Sequence, residues 1–157
     1  MKIQSVHFGE VDVEADAVIH FPAGIAPFGK ELDFVVLAGG ERHPGPENRR
    51  LAGPEFAWLQ SLQFPQLGFW VGHAGKLFPK HDIGIEAHHL QSVHVDHPQQ
   101  LCIMLMLTIE RQQVTANLLA PVLVNLEAGI GRQVVVAAGV EQVRVPVPAC
   151  PVAIQAV

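Results

Sequence analysis

Glycine and proline recur along the whole chain, fourteen and twelve of them in 157 residues, and they leave little uninterrupted sequence for long helices. Each proline removes a backbone donor and fixes φ, and each glycine marks a place where the chain can turn. Between these marks lie short apolar runs of strand length. That pattern predicts many short strands joined by turns, closed on one core as an antiparallel barrel or sandwich. Nearly half the residues are apolar, enough to fill such a core, and with no Tyr and few other aromatics the filling must be aliphatic. A chain of this length fits one domain.

The individual runs support this. Val11 and Val13 alternate with Glu10, Asp12 and Glu14, the period of a half-buried strand. Ala17 to Phe21 and Phe34 to Leu37 are further short β-like segments. A loop rich in Gly, Pro and charge, Gly39 to Gly53, follows as a surface excursion within the domain. Phe56 to Leu62 and Leu67 to Val71 read as neighbouring strands with Pro65 in their turn. Leu101 to Ile109 is apolar on both faces, which predicts a central strand. Leu118 to Val124 and Gln133 to Ala138 are expected as buried strands separated by a Gly129-Ile130-Gly131 turn. Val143, Val145 and Val147 alternate around Arg144 and Pro146 as an edge strand would. Only Ile83 to Val93 has helical character. The apolar tail from Pro148 to Val157 has no clear strand partner.

Charge and cysteine usage narrow the function classes. Ten basic against fifteen acidic residues give a net charge of −5, which disfavours phosphate backbones and direct nucleic-acid binding, and favours a basic protein partner. The two cysteines, Cys102 and Cys150, are far apart, and Cys102 sits in an apolar run as a buried free thiol would. The N-terminus lacks a signal-peptide pattern, and no apolar run approaches the roughly 20 residues of a membrane-spanning helix. A cytoplasmic protein is expected.

Catalytic patterns are missing. None of Ser5, Ser61 and Ser92 lies in a nucleophile elbow, and Gly72-His73-Ala74-Gly75-Lys76 fails the spacing of a phosphate loop and reads as a turn. No enzyme chemistry and no cofactor is expected. The histidines are the strongest remaining feature. His81, His88, His89, His94 and His97 fall close together with Asp82, Glu86 and Asp96, a donor set suited to zinc, nickel or copper. On a helix, Glu86 and His89 would share a face while His88 points elsewhere. A small metal- or ligand-binding β-barrel using His81 to His97 is therefore the alternative reading, against a solvated connection that is rich in His; no metal ligand is assigned.

The residues also form an ordered series. Phe8-Gly9-Glu10 leads to Val18-Ile19-His20-Phe21-Pro22-Ala23-Gly24-Ile25, then Phe56-Ala57-Trp58-Leu59-Gln60-Ser61, Pro65-Gln66-Leu67-Gly68-Phe69 and Phe78-Pro79. It closes with Thr115-Ala116-Asn117-Leu118-Leu119-Ala120-Pro121-Val122-Leu123-Val124-Asn125 and Gly131-Arg132-Gln133-Val134-Val135. In this order the chain resembles the flagellar assembly factor FliW family from about Lys2 to Val147, with W-L-Q-S and T-A-N-L-L-A-P as the specific pieces. The resemblance implies an all-β fold, a flattened antiparallel β-barrel with Greek-key character and at most one or two short helices, over residues 1–147 with a tail at 148–157. It implies a binding protein whose partners are flagellin and the translational repressor CsrA, and a monomer suits such an exchange of partners. Bound to CsrA it would lift repression of flagellin synthesis, and accumulating flagellin would compete for it.

The chain departs from the family pattern at Ala26-Pro27-Phe28, in the length of the Gly39 to Gly53 loop, and in placing His88, His89 and His94 where acids are usual. Partner contacts are expected beside the Asn117 to Asn125 strand and in the His88 to His97 segment. The candidates are Phe21, Pro22, His88, His89, His94, Asn117, Leu119, Pro121 and Asn125. Core or turn packing is the weightier explanation for Phe21, Pro22, Trp58 and Leu59, and the two asparagines suit the satisfaction of backbone groups.

Overall fold

The structure, a computed structural model, describes residues 1–30, 32–38, 56–110 and 113–147. The Gly39 to Gly53 loop, the tail at 148–157 and Cys150 lie outside the described residues. Among the described residues there are ten strands: β1 (Lys2–Ser5), β2 (Gly9–Asp12), β3 (Ile19–Phe21), β4 (Leu32–Ala38), β5 (Phe56–Ser61), β6 (Gly68–His73), β7 (Leu101–Glu110), β8 (Gln113–Asn125), β9 (Ile130–Gln133) and β10 (Val145–Pro146). Two short helices, α1 (Ala74–Leu77) and α2 (Ala87–Ser92), follow β6.

Strands β3 to β9 form a ring of seven in chain order, each antiparallel to the next, and β9 returns to β3 through the pair His20 and Ile130. Because the strands alternate in direction and their number is odd, the first and last point the same way. The closing contact is accordingly parallel. The fold is all-β and barrel-like with two short helices, as expected. Its ring order is a meander, however, and the Greek-key character implied by the resemblance does not appear in that order.

Most ring strands are buried on both faces. Ile19, Phe21, Phe34, Leu59, Met104, Val122 and Val124 fill the interior. On the outer side, the β1–β2 hairpin places Ile3 and Val11 over Val35, Leu37 and Trp58. Ala74 and Leu77 of α1, with Val147, cover Leu105, Leu107, Ala116 and Leu118. A fourth cluster, Val93, Leu123, Val134 and Val136, seats the segment after α2 against β8. This double covering is why β5 and β7 show near-continuous apolar sequence instead of alternation.

β8 bends, and its sequence says how. Against β7, Met104 faces Val122 and Met106 faces Asn117, so Leu118 to Pro121 stand opposite the single residue Leu105. This large bulge splits β8 in two. The first half carries β10, and the second carries β9. The Asn117 side chain stabilises the bulge by accepting from the amides of Leu119 (3.0 Å) and Ala120 (3.1 Å). Pro121 fits because a bulge removes the need for one ladder donor.

Several sequence expectations change, among them Val143, which lies in a 3-10 turn (Val140–Val143) and not in the edge strand. β1 was not foreseen, because only its Ile3 and Ser5 are buried and its pattern is too short to register. The 72–76 stretch is not a simple turn but the end of β6 and the first residues of α1. Ile130 and Gly131 belong to β9 and not to a turn; the turn precedes them, at 126–129. Val134 and Val136 still bond to the carbonyls of Pro121 (2.9 Å) and Leu119 (3.0 Å), so the extended chain runs on past β9.

Candidate protein-binding surface

The nine candidates separate into two groups at opposite ends of the second half of β8. At one end lie His88, His89, His94 and Asn125. The Asn125 amide is buried, and it donates to the carbonyls of Val93 (3.0 Å) and His94 (3.1 Å) while its oxygen accepts from Glu127 (3.1 Å) and Ala128 (3.0 Å). One side chain thus ties the end of α2 and forms the β8–β9 turn. His94, at φ 58°, sits in the left-handed region, where its carbonyl can reach Asn125.

The helix between them begins with an unusual cap. Glu86 is the N-cap, and its carboxylate accepts from the backbone of His89. In return the Glu86 amide donates to Nδ1 of His89 at 2.9 Å. Imidazole here takes the place that Glu or Gln usually holds in a capping box. The bond requires a lone pair on Nδ1, so His89 carries its proton on Nε2 in this geometry. His89 is buried, whereas its neighbour His88 is exposed, lies tilted against it with ring centroids 4.0 Å apart, and stands 3.4 Å from the Glu86 carboxylate. The expected sharing of a face by Glu86 and His89 is met, for a structural purpose.

Gln100 extends this end of the barrel and was not singled out by sequence. Buried after a 3-10 turn, it accepts from the amides of Asp96 (2.7 Å) and His97 (3.2 Å) and donates to Glu127 (2.8 Å). The exposed side chains at this surface include His88, His94, His97, Glu86, Asp96 and Glu127. Among the described residues no three His, Cys, Asp or Glu side chains are grouped to hold a metal ion.

At the other end lie Pro22, Asn117, Leu119 and Pro121. Pro22 is exposed on the turn after β3, Asn117 and Leu119 are half-buried, and Pro121 is buried. Phe21 is fully buried edge-on to Phe34 at 5.3 Å, and its ring lies against Gly131 so closely that a Cβ there would clash. Phe21, His89, Pro121 and Asn125 therefore shape the surface from beneath, and Pro22, His88 and His94 are the candidates that solvent reaches.

Two further groups bear on chemistry. Burial pushes the Cys102 thiol up to about 12, which leaves it protonated and unreactive. Burial first, and the Lys76 ammonium second, hold His73 below the ordinary imidazole value, and its Nδ1 is buried without a hydrogen-bond partner. A shallow cavity of about 310 Å³ lies nearby, lined by Phe78, His81, Asp82, Ile85 and Ile103 among others. No helix of the described residues is long and apolar enough to cross a membrane.

With this geometry in place, the comparisons with known proteins are informative. Residues 2–147 match the family described as FliW protein. The chain is 34% identical over 135 residues to the flagellar assembly factor FliW of Syntrophomonas wolfei, covering 85% of this chain and 80% of that protein. It is 33% identical over 138 residues to the flagellar assembly factor FliW of Geotalea uraniireducens, covering 87% and 77%. A crystal structure of the flagellar assembly factor FliW superposes with a TM-score of 0.76 at 25% identity, covering 95% of this chain and 98% of the other.

Proposed function

The chain belongs to the FliW family of flagellar assembly factors, and from that premise we propose that it is a cytoplasmic binding regulator and not an enzyme. Its partners are flagellin and the translational repressor CsrA. Binding to CsrA relieves repression of flagellin synthesis, and rising flagellin draws the protein away so that repression resumes. It works by stoichiometric sequestration, as a monomer, with residues 1–147 as the working domain and 148–157 as a tail.

The observation that carries this reading is the family match across residues 2–147, with barrel, bulge and W-L-Q-S segment all inside it. The acidic balance of the chain suits a basic repressor through complementary potentials. The partner surface we propose is formed by Pro22, His88 and His94 directly, with Asn117 and Leu119 at its border. Phe21, His89, Pro121 and Asn125 act by holding those positions.

Calorimetric titration of the untagged protein with flagellin and with CsrA from the same genome tests this, followed by competition. Submicromolar binding to both, with flagellin displacing CsrA, is the expected result. Binding to flagellin alone would reduce the function to that of a dedicated chaperone. Folded protein that binds neither would overturn the proposal.

A further inference from the structure

The ring closes on β9 through one pair only, His20 with Ile130, although the extended chain continues to Val136. On its β8 side this continuation is bonded: the amides of Val134 and Val136 reach Pro121 and Leu119. Alternation then directs the amides of Gln133 and Val135 to the other flank. β3 ends at Phe21, beside Gly131; beyond it the Ala26 amide donates to the Gln133 side-chain oxygen at 3.1 Å, which leaves the Gln133 and Val135 backbone amides unmet. Neither amide has a hydrogen-bond partner among the described residues. The structure therefore carries a short stretch of open sheet edge beyond its own seam.

The side chains around it are those of a docking edge and not of a protected one. Val135 is 69% exposed between two buried valines, and no lysine stands on the stretch to discourage pairing. Val140 and Val143, next along the chain, are exposed as well. Arg132, one residue before the open amides, is exposed and has no ion-pair partner among the described residues.

We infer that a protein partner adds an extended segment to the Gln133–Val135 edge, with an aliphatic side chain against Val135 and an acidic one facing Arg132. Two unpaired amides at strand spacing are met only by extended backbone, which gives the register; the lone cation selects the charge. This rests on the reading of the chain as a binding protein, and it names how a partner is held.

The test uses full-length protein titrated with flagellin and with CsrA, comparing wild type with Val135→Pro, Val135→Ala and Arg132→Glu. Proline deletes the Val135 amide and is tolerated at an edge, whereas alanine keeps it. The expected result for one partner is binding weakened about tenfold or more by V135P and R132E, with V135A, which keeps the amide and loses only side-chain packing, weakened clearly less than V135P. Amide exchange of the wild type should show Gln133 and Val135 protected on binding, which guards against a proline variant that fails to fold. If wild type binds a partner while both amides stay unprotected, the edge inference is overturned and the binding function stands. If wild type binds neither partner, both are overturned.

Discussion

The Asn125 side chain donates to the carbonyl of Val93 at 3.0 Å, joining the end of α2 to the end of β8 across 32 residues of sequence. Four hydrogen bonds converge on this one buried amide. Replacing it with Ala leaves two carbonyls and two amides without their partner, and should cost about 3 kcal/mol in a denaturant titration. Asp should be no better than partial rescue, since it restores the acceptor for Glu127 and Ala128 but turns an oxygen toward two carbonyls.

Gln60 should prove the most sensitive polar residue of the core. It is fully buried; its oxygen accepts from Ser5 Oγ (2.7 Å) and Trp58 Nε1 (2.8 Å), and its nitrogen faces the carbonyls of Ser61, Phe64, Pro65 and Leu67 at 3.1 to 3.3 Å. Gln60→Glu removes the donor and buries a charge among carbonyls, so its loss of stability should exceed the roughly 1 kcal/mol expected of Ser5→Ala. Thermal melts of the two variants side by side check the order.

His73 makes stability depend on pH in a predictable direction. Its folded value lies below the ordinary 6.5, so above 6.5 both states are neutral and nothing changes. As the pH falls through 6.5 toward the lower folded value, the unfolded chain binds the proton more readily, and stability is lost over that window. His73→Leu should flatten this part of the profile, read as denaturation midpoints at successive pH values.

His88 offers a separation of binding from folding. It is exposed, and its ionic neighbour among the described residues, Glu86, is exposed too, so His88→Ala should change stability by less than about 0.5 kcal/mol. On the proposed partner surface it should nonetheless weaken partner affinity. A binding curve unchanged for H88A, for both partners, would remove it from the interface.

The strands read most plainly from sequence are those buried on both faces, while β2 was legible from its alternation instead. β5 and β7 announce themselves as apolar runs because the barrel interior and an outer cover both demand it. β1 and β9 were missed or misplaced because each is short and takes its structure from a partner elsewhere: β1 from the hairpin with β2, β9 from the far half of β8. The asparagines were legible as backbone-satisfying groups, since an amide beside a turn has few other uses. Gln100 and the open Gln133–Val135 edge were not. A buried glutamine has no periodic signature, and an edge exists only once the neighbouring strand is known to end at Phe21.

The parallel pair of His20 and Ile130 carries one more implication, for how the molecule is made. Every other step around the ring joins neighbours in the chain, so each can form as soon as its own hairpin is complete. The seam joins a strand near the beginning to one near the end, so it closes the longest loop of any pairing in the ring and carries the largest closure entropy. The barrel is thus a coil of local decisions finished by a single distant clasp, the one closure in the ring that no single hairpin supplies.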